Sequence, residues 1–195
     1  MDAALSSHLS GWENFYLITG PSAAALTGLQ FVVIALVAEA GMGSSLSVSA
    51  FGTPTILHFC TVLLLAGIVT APWATFTGPA LTIGACGLAG LVYMTVAVRR
   101  SQRQGTYKPV LEDWIWYAVV PLAAYLALII AAGVLPGHPA AALFTVGTVA
   151  LLLLFLGIRN AWDTVVYIAV VERERAARTA AEQTALHAAG PDATA

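Results

Sequence analysis

Gln30, His58, Arg159, Asn160 and Asp163 are polar side chains set into or beside long apolar runs, where an unpaired polar group is costly and a paired one can carry function. The charge of an imidazole changes near neutral pH, so His58 at membrane depth could bind a proton. The amides of Gln30 and Asn160 both donate and accept, which suits them to pair with a neutral imidazole or to line a polar cavity. On one helix, Arg159 and Asp163 stand four apart and Asn160 and Asp163 three apart, so they share a face and an ion pair is within reach. The chain has no GxSxG, HExxH, Walker A or GxGxxG pattern, and no intramembrane Ser paired with His or Lys, so no enzyme is expected.

The elements that place these residues follow from composition. Of the 195 residues 59% are hydrophobic and only 9% charged, with a mean hydropathy of +0.84, too little polar surface for a soluble fold of this size. The expected class is an all-α integral membrane protein whose main surroundings are the lipid bilayer. All eight Lys and Arg fall at or after Arg99, which leaves no basic patch with interleaved aromatics and excludes nucleic acid as a partner. Cys60 and Cys86 lie in separate apolar runs, without CxxC spacing, and read as packing residues. The opening MDAALSSHLSGWENF carries no positively charged leader, so the first apolar segment is expected to stay as an anchor rather than be cleaved.

Crossing the hydrocarbon takes about 20 apolar residues. Five stretches meet this requirement: 15–38, 53–73, 79–98, 114–135 and 140–166. They predict a five-transmembrane-helix bundle over residues 1–171, followed by a cytoplasmic helical extension and frayed tail over 172–195. PWATFTGP and PGHP are short Pro- and Gly-bearing turns, each closing a helical hairpin, while GMGSSLSVSAFG and RRSQRQGTYKPVLED are longer connections. The second of these carries Arg99, Arg100, Arg103 and Lys108, and positive residues near span ends stay in the cytoplasm. The C-terminal segment with Arg173, Arg175 and Arg178 then also lies inside, and the N-terminus outside. Trp12, Trp73, Trp114, Trp116 and Trp162 all fall near span ends, where an indole prefers the headgroup region. Gly20, Ala24 and Gly28 recur every four residues and predict a close-packing seam, as does GACGLAG in the third span. Pro121 removes one backbone hydrogen bond and is expected to kink the fourth helix.

This topology sets depths. At about 1.5 Å per residue, Arg159 and Asn160 lie roughly 9–10 Å to the cytoplasmic side of the midplane, Asp163 roughly 15 Å, His58 roughly 7–8 Å and Gln30 roughly 4–5 Å. Three helices thus offer polar side chains in the inner half of the bilayer. Asn160, Gln30, Thr61 or Arg159 could supply the hydrogen-bond partner that His58 needs there. Arg159 has a plainer alternative, reaching to the headgroups with Asp163 and Trp162 as an interfacial anchor. His8 and His138 fall outside and His187 in the tail, so His58 has no second ligand at its depth, and neither a metal nor a cofactor is expected.

WENFY at 12–16, TPTILHF at 53–59, APW at 71–73 and GIRNAWD at 157–163 resemble the landmarks of a group of small bacterial multi-span membrane proteins of uncharacterised activity. The resemblance covers the spans and implies a bacterial inner (cytoplasmic) membrane; it supplies no activity and no catalytic residue. Arg159 departs from that group's pattern, which has a His at the position. Two functions remain open. One is a permeation, transport or small-ligand-binding protein, a homo-oligomer with Gln30, His58, Arg159, Asn160 and Asp163 around a polar site in the cytoplasmic half of the bilayer. The other is a non-catalytic adaptor or regulatory subunit that binds a cytoplasmic partner through the basic loop and the C-terminal helix.

Overall fold

In the computed structural model, which describes residues 9–39, 45–103 and 114–188, the two short turns separate helices as their Pro and Gly residues require. Helix α1 spans Glu13–Glu39, α2 Ser45–Thr70 and α3 Thr77–Arg103. A π-helical turn, Ile115–Val119, leads into α4, Val120–Val134, and α5 runs unbroken from Pro139 to Ala188. Pro139 opens its helix, the position where a missing N–H costs nothing. No strand occurs among the described residues. The two longer connections are partly helical: of the Gly/Ser stretch 41–52, residues 45–52 form the first turns of α2, and of the basic stretch 99–113, residues 99–103, with Arg99, Arg100 and Arg103, continue α3. The remainder of each, 41–44 and 104–113, and the tail from 189 onward lie outside the described residues.

Among the described residues four stretches are long and apolar enough to cross a membrane: Glu13–Leu36, Thr77–Arg100, Ile115–Val134 and Pro139–Val166. In α2 the apolar part, Pro54–Thr70, is shorter. Large apolar side chains cover the outside of the bundle, with Leu17, Ile18, Leu81, Phe144 and Trp162 each about two-thirds exposed. Water would make such a surface an aggregation site; lipid makes it ordinary. The chain is a helical membrane protein.

Close approaches set the directions. Trp12, at the start of α1, packs over Gly147 and Phe144 near the start of α5, so α1 and α5 run the same way. Gly20, early in α1, meets Ala66, late in α2, and these two are antiparallel. Gly84 faces Ala132 and Gly90 faces Tyr125, which makes α3 and α4 antiparallel. The bundle therefore alternates along the chain. Helix α2 packs against α1, α3 and α5, and its buried stripe, Thr55, His58, Phe59, Val62, Leu65, Ala66 and Val69, recurs at the three- and four-residue spacing of a single helix face.

Two local expectations change form. The run GACGLAG lies along α4, but the seam Gly20, Ala24, Gly28 is not one face: Gly20 is buried against Ala66, Ala24 is exposed, and a Cβ on Gly28 would meet nothing within 4 Å. A four-residue period advances 40° per step on a 3.6-residue helix, so Gly28 has rotated off the α2 contact. At Pro121 the preceding turn widens, with the Val120 N–H bonding the Ile115 carbonyl. The π turn absorbs the bond and the space that proline takes from an α-helix.

Candidate functional site

The five polar residues read from the sequence fall into two groups, because adjacent positions such as Arg159 and Asn160 point about 100° apart on a helix. Gln30, His58 and Asn160 are buried, at 3%, 0% and 3% exposure. Arg159 and Asp163 keep 28% and 42% of their side chains exposed.

The exposed group is assembled by the π turn. The Arg159 guanidinium lies 4.5 Å from the Trp116 ring centroid, in cation–π range, and its Nε is 4.0 Å from Asp163 Oδ2, one helical turn on. Tyr117 donates to the same carboxylate oxygen at 2.6 Å. Trp116 also meets the ring of Phe155. This group ties the start of the fourth span to α5 and sets opposite charges within one helical turn of each other, which fits an interfacial anchor.

The buried group has a different centre. His58 Nδ1 is 2.9 Å from the hydroxyl of Tyr125, on α4. Tyr125 is fully buried, its ring lies on Gly90 of α3, and its hydroxyl is also 3.3 Å from Thr61 Oγ1. Thr61 donates to the Leu57 carbonyl at 2.8 Å. Tyr125 is the partner that reading the sequence missed. A tyrosine far from both ends of an apolar span was the available signal, since a buried phenol needs a hydrogen-bond partner.

The expected hydrogen bond between His58 and Asn160 is not made. His58 Nε2 and Asn160 Oδ1 have no hydrogen-bond partner, and neither does Gln30 Nε2. These three residues nevertheless share a level. From the contact of Gly20 with Ala66, Gln30 lies ten residues along α1; from that of Gly157 with Phe59, Asn160 lies three along α5. Traced back on antiparallel α2, both counts lead to position 56, and His58 is two residues, about 3 Å, away. Helices α1, α2 and α5 pack against one another in all three pairs. Buried polar atoms are nearly always hydrogen-bonded, so three without partners at one level of a three-helix contact set this layer apart from the apolar core around it.

The Tyr16 hydroxyl, fourteen residues before Gln30 on α1, is likewise buried with no hydrogen-bond partner. The remaining features lack this character. Between α4 and α5 a groove of about 490 Å³, lined by Val119, Ala123, Ala127, Phe144, Thr148 and Leu152 among others, is apolar and offers no polar contact beyond threonines bonded to their own helix. Among the described residues no three His, Cys, Asp or Glu side chains gather as metal ligands. The thiols of Cys60 and Cys86 are free. No family model matches the chain, and no curated protein or solved structure matches it.

Proposed function

We propose that this chain is a small-ligand-binding membrane protein of the permeation or transport class, with its site at the Gln30, His58 and Asn160 layer. The observation that carries this reading is the set of unpartnered polar atoms on three mutually packed helices at one level. In this reading all five apolar stretches cross a bacterial inner membrane, the N-terminus is outside, the C-terminus is cytoplasmic, and the layer lies in the cytoplasmic half. The alternating helix directions and the cytoplasmic preference of Arg-rich segments support that orientation. Five helices are few to enclose a path, so a homo-oligomer belongs to the proposal; exposed Ala24 and the open space beside Gly28 offer a face on which a second helix could approach closely. Arg159 and Asp163 are assigned to the interfacial anchor.

Cysteine accessibility tests the site. In a background with Cys60 and Cys86 replaced by Ala, single cysteines at positions 30 and 160 should react with a small methanethiosulfonate reagent, while cysteines at the lipid-facing positions Leu29 and Phe155 should not. Inert cysteines at both 30 and 160 would remove the ligand-binding reading. The adaptor alternative is favoured by one observation, the continuation of α5 as a helix well past its apolar part to Ala188, with Glu174 and residues 177–184 exposed. It would gain if the site proved closed and truncation after Val171 abolished capture of a cytoplasmic partner.

A further inference from the structure

The protons of the His58 network restrict what the layer can hold. Thr61 has one hydroxyl proton, and it goes to the Leu57 carbonyl. Its oxygen can therefore only accept from Tyr125. Tyr125 also has one proton, with two claimants: Thr61 Oγ1 at 3.3 Å and His58 Nδ1 at 2.9 Å. If the proton goes to His58, the Tyr125–Thr61 contact carries none, and the neutral ring is left with a buried Nε2–H facing no acceptor. If it goes to Thr61, His58 Nδ1–H donates to Tyr125, and all three contacts are hydrogen bonds pointing one way, from His58 through Tyr125 and Thr61 to the Leu57 carbonyl. Bonds in such a chain polarise and strengthen one another. In this arrangement His58 Nε2 presents a bare lone pair.

Asn160 Oδ1 is a second unpartnered acceptor and Gln30 Nε2 an unpartnered donor at the same level. Their complement is a molecule with at least two polar hydrogens and one lone pair. The buried polar or charged residues among the described ones are Thr19, Gln30, Thr55, His58, Thr61 and Asn160, and none is a carboxylate. A cation in the layer would therefore be buried without a counter-charge, which is strongly unfavourable. We infer that the layer binds a neutral, water-sized hydrogen-bond donor, water or ammonia, with His58 Nε2 and Asn160 Oδ1 accepting and Gln30 Nε2 donating. Tyr125 is the positioning residue that keeps His58 in its accepting tautomer. This inference rests on the ligand-binding reading and names its ligand class.

The test uses the full chain in lipid nanodiscs near neutral pH, with His8, His138 and His187 replaced by Gln so that His58 is the one imidazole, ¹⁵N-labelled in its ring. Nitrogen shifts and N–H couplings report the tautomer directly. The Nδ1–H form should exceed the Nε2–H form by about tenfold, the scale of one net hydrogen bond. That ratio should collapse in Tyr125→Phe, which removes the relay. It should also collapse in Thr61→Val, which frees the Tyr125 proton for His58 while leaving the ring packing intact and so serves if Tyr125→Phe fails to fold. An Nε2–H ring or an imidazolium in the starting protein, or an unchanged ratio in the folded variants, overturns the inference. The guest is read in the same sample. Magnetisation transfer from water to Nε2 assigns water, and a saturable Nε2 shift with ammonium chloride that sodium chloride does not reproduce assigns ammonia. The absence of both signals overturns the site. Reactive cysteines at 30 and 160 together with an Nε2–H ring would remove the donor class alone; inert cysteines would remove the underlying reading whatever the tautomer.

Discussion

Replacing Gly90 with Ala should drive a methyl group into the ring that holds His58. A Cβ at that position would overlap Cε1 and Cδ1 of Tyr125 and stand 2.7 Å from its Cγ, which is not the far end of a flexible chain. Tyr125 is fully buried and its hydroxyl meets both His58 and Thr61, so the ring cannot shift without giving up these contacts. Moving the whole helix is no easier, since Gly87 already lies against the Tyr125 carbonyl and Ile129. Overpacking costs about 1–3 kcal/mol. Stranding a buried imidazole nitrogen costs about 1–3 kcal/mol more, while Ala in place of Gly returns about 1 kcal/mol of helix propensity. The net loss is about 3 kcal/mol, or roughly 6–12 °C in the melting temperature of a chain this long. Thermal unfolding in one detergent, followed by circular dichroism, measures it against Gly28→Ala, where a new Cβ meets nothing within 4 Å and stability should hold or rise slightly. If Gly90→Ala melts together with Gly28→Ala, the placement of Tyr125 between α3 and α2 is wrong.

The double-mutant cycle of His58→Leu and Tyr125→Phe should show a coupling of about 1–2 kcal/mol, since the two share a buried hydrogen bond; strict additivity would separate them. Tyr117→Phe removes a donor to Asp163, but that carboxylate is 42% exposed, so the variant should lose no more than about 1 kcal/mol and leave the His58–Tyr125 coupling unchanged. In intact cells a cysteine at residue 3 should label from outside and one at residue 190 should not, and the reverse pattern would invert the proposed orientation.

Hydropathy made the helices and their hairpin turns legible, because every apolar run had to be covered by lipid or by another helix. His58 and Asn160 were legible for the same reason, since a polar group in such a run must find a partner. Which partner it finds was not. The choice of Tyr125 depends on Gly90 and Gly87 letting α3 approach α4 closely, a relation between residues far apart in sequence that no spacing rule encodes. Local patterns misled where they ignored rotation: Gly20, Ala24 and Gly28 look like one stripe in the sequence but spread around the helix. Pro121 announced a disturbance, but not that it would take the form of a π turn over Ile115–Val119. Here the widened turn is the one that carries Trp116 and Tyr117 to Arg159 and Asp163.

The central claim is that the Gln30, His58 and Asn160 layer holds a small polar guest. An experimental structure in lipid at a resolution that shows ordered water tests it most directly. Density is expected within hydrogen-bonding distance of His58 Nε2, shared with Asn160 Oδ1 or Gln30 Nε2. A well-resolved layer with no such density, in which those atoms bond one another or stay dry, would contradict it.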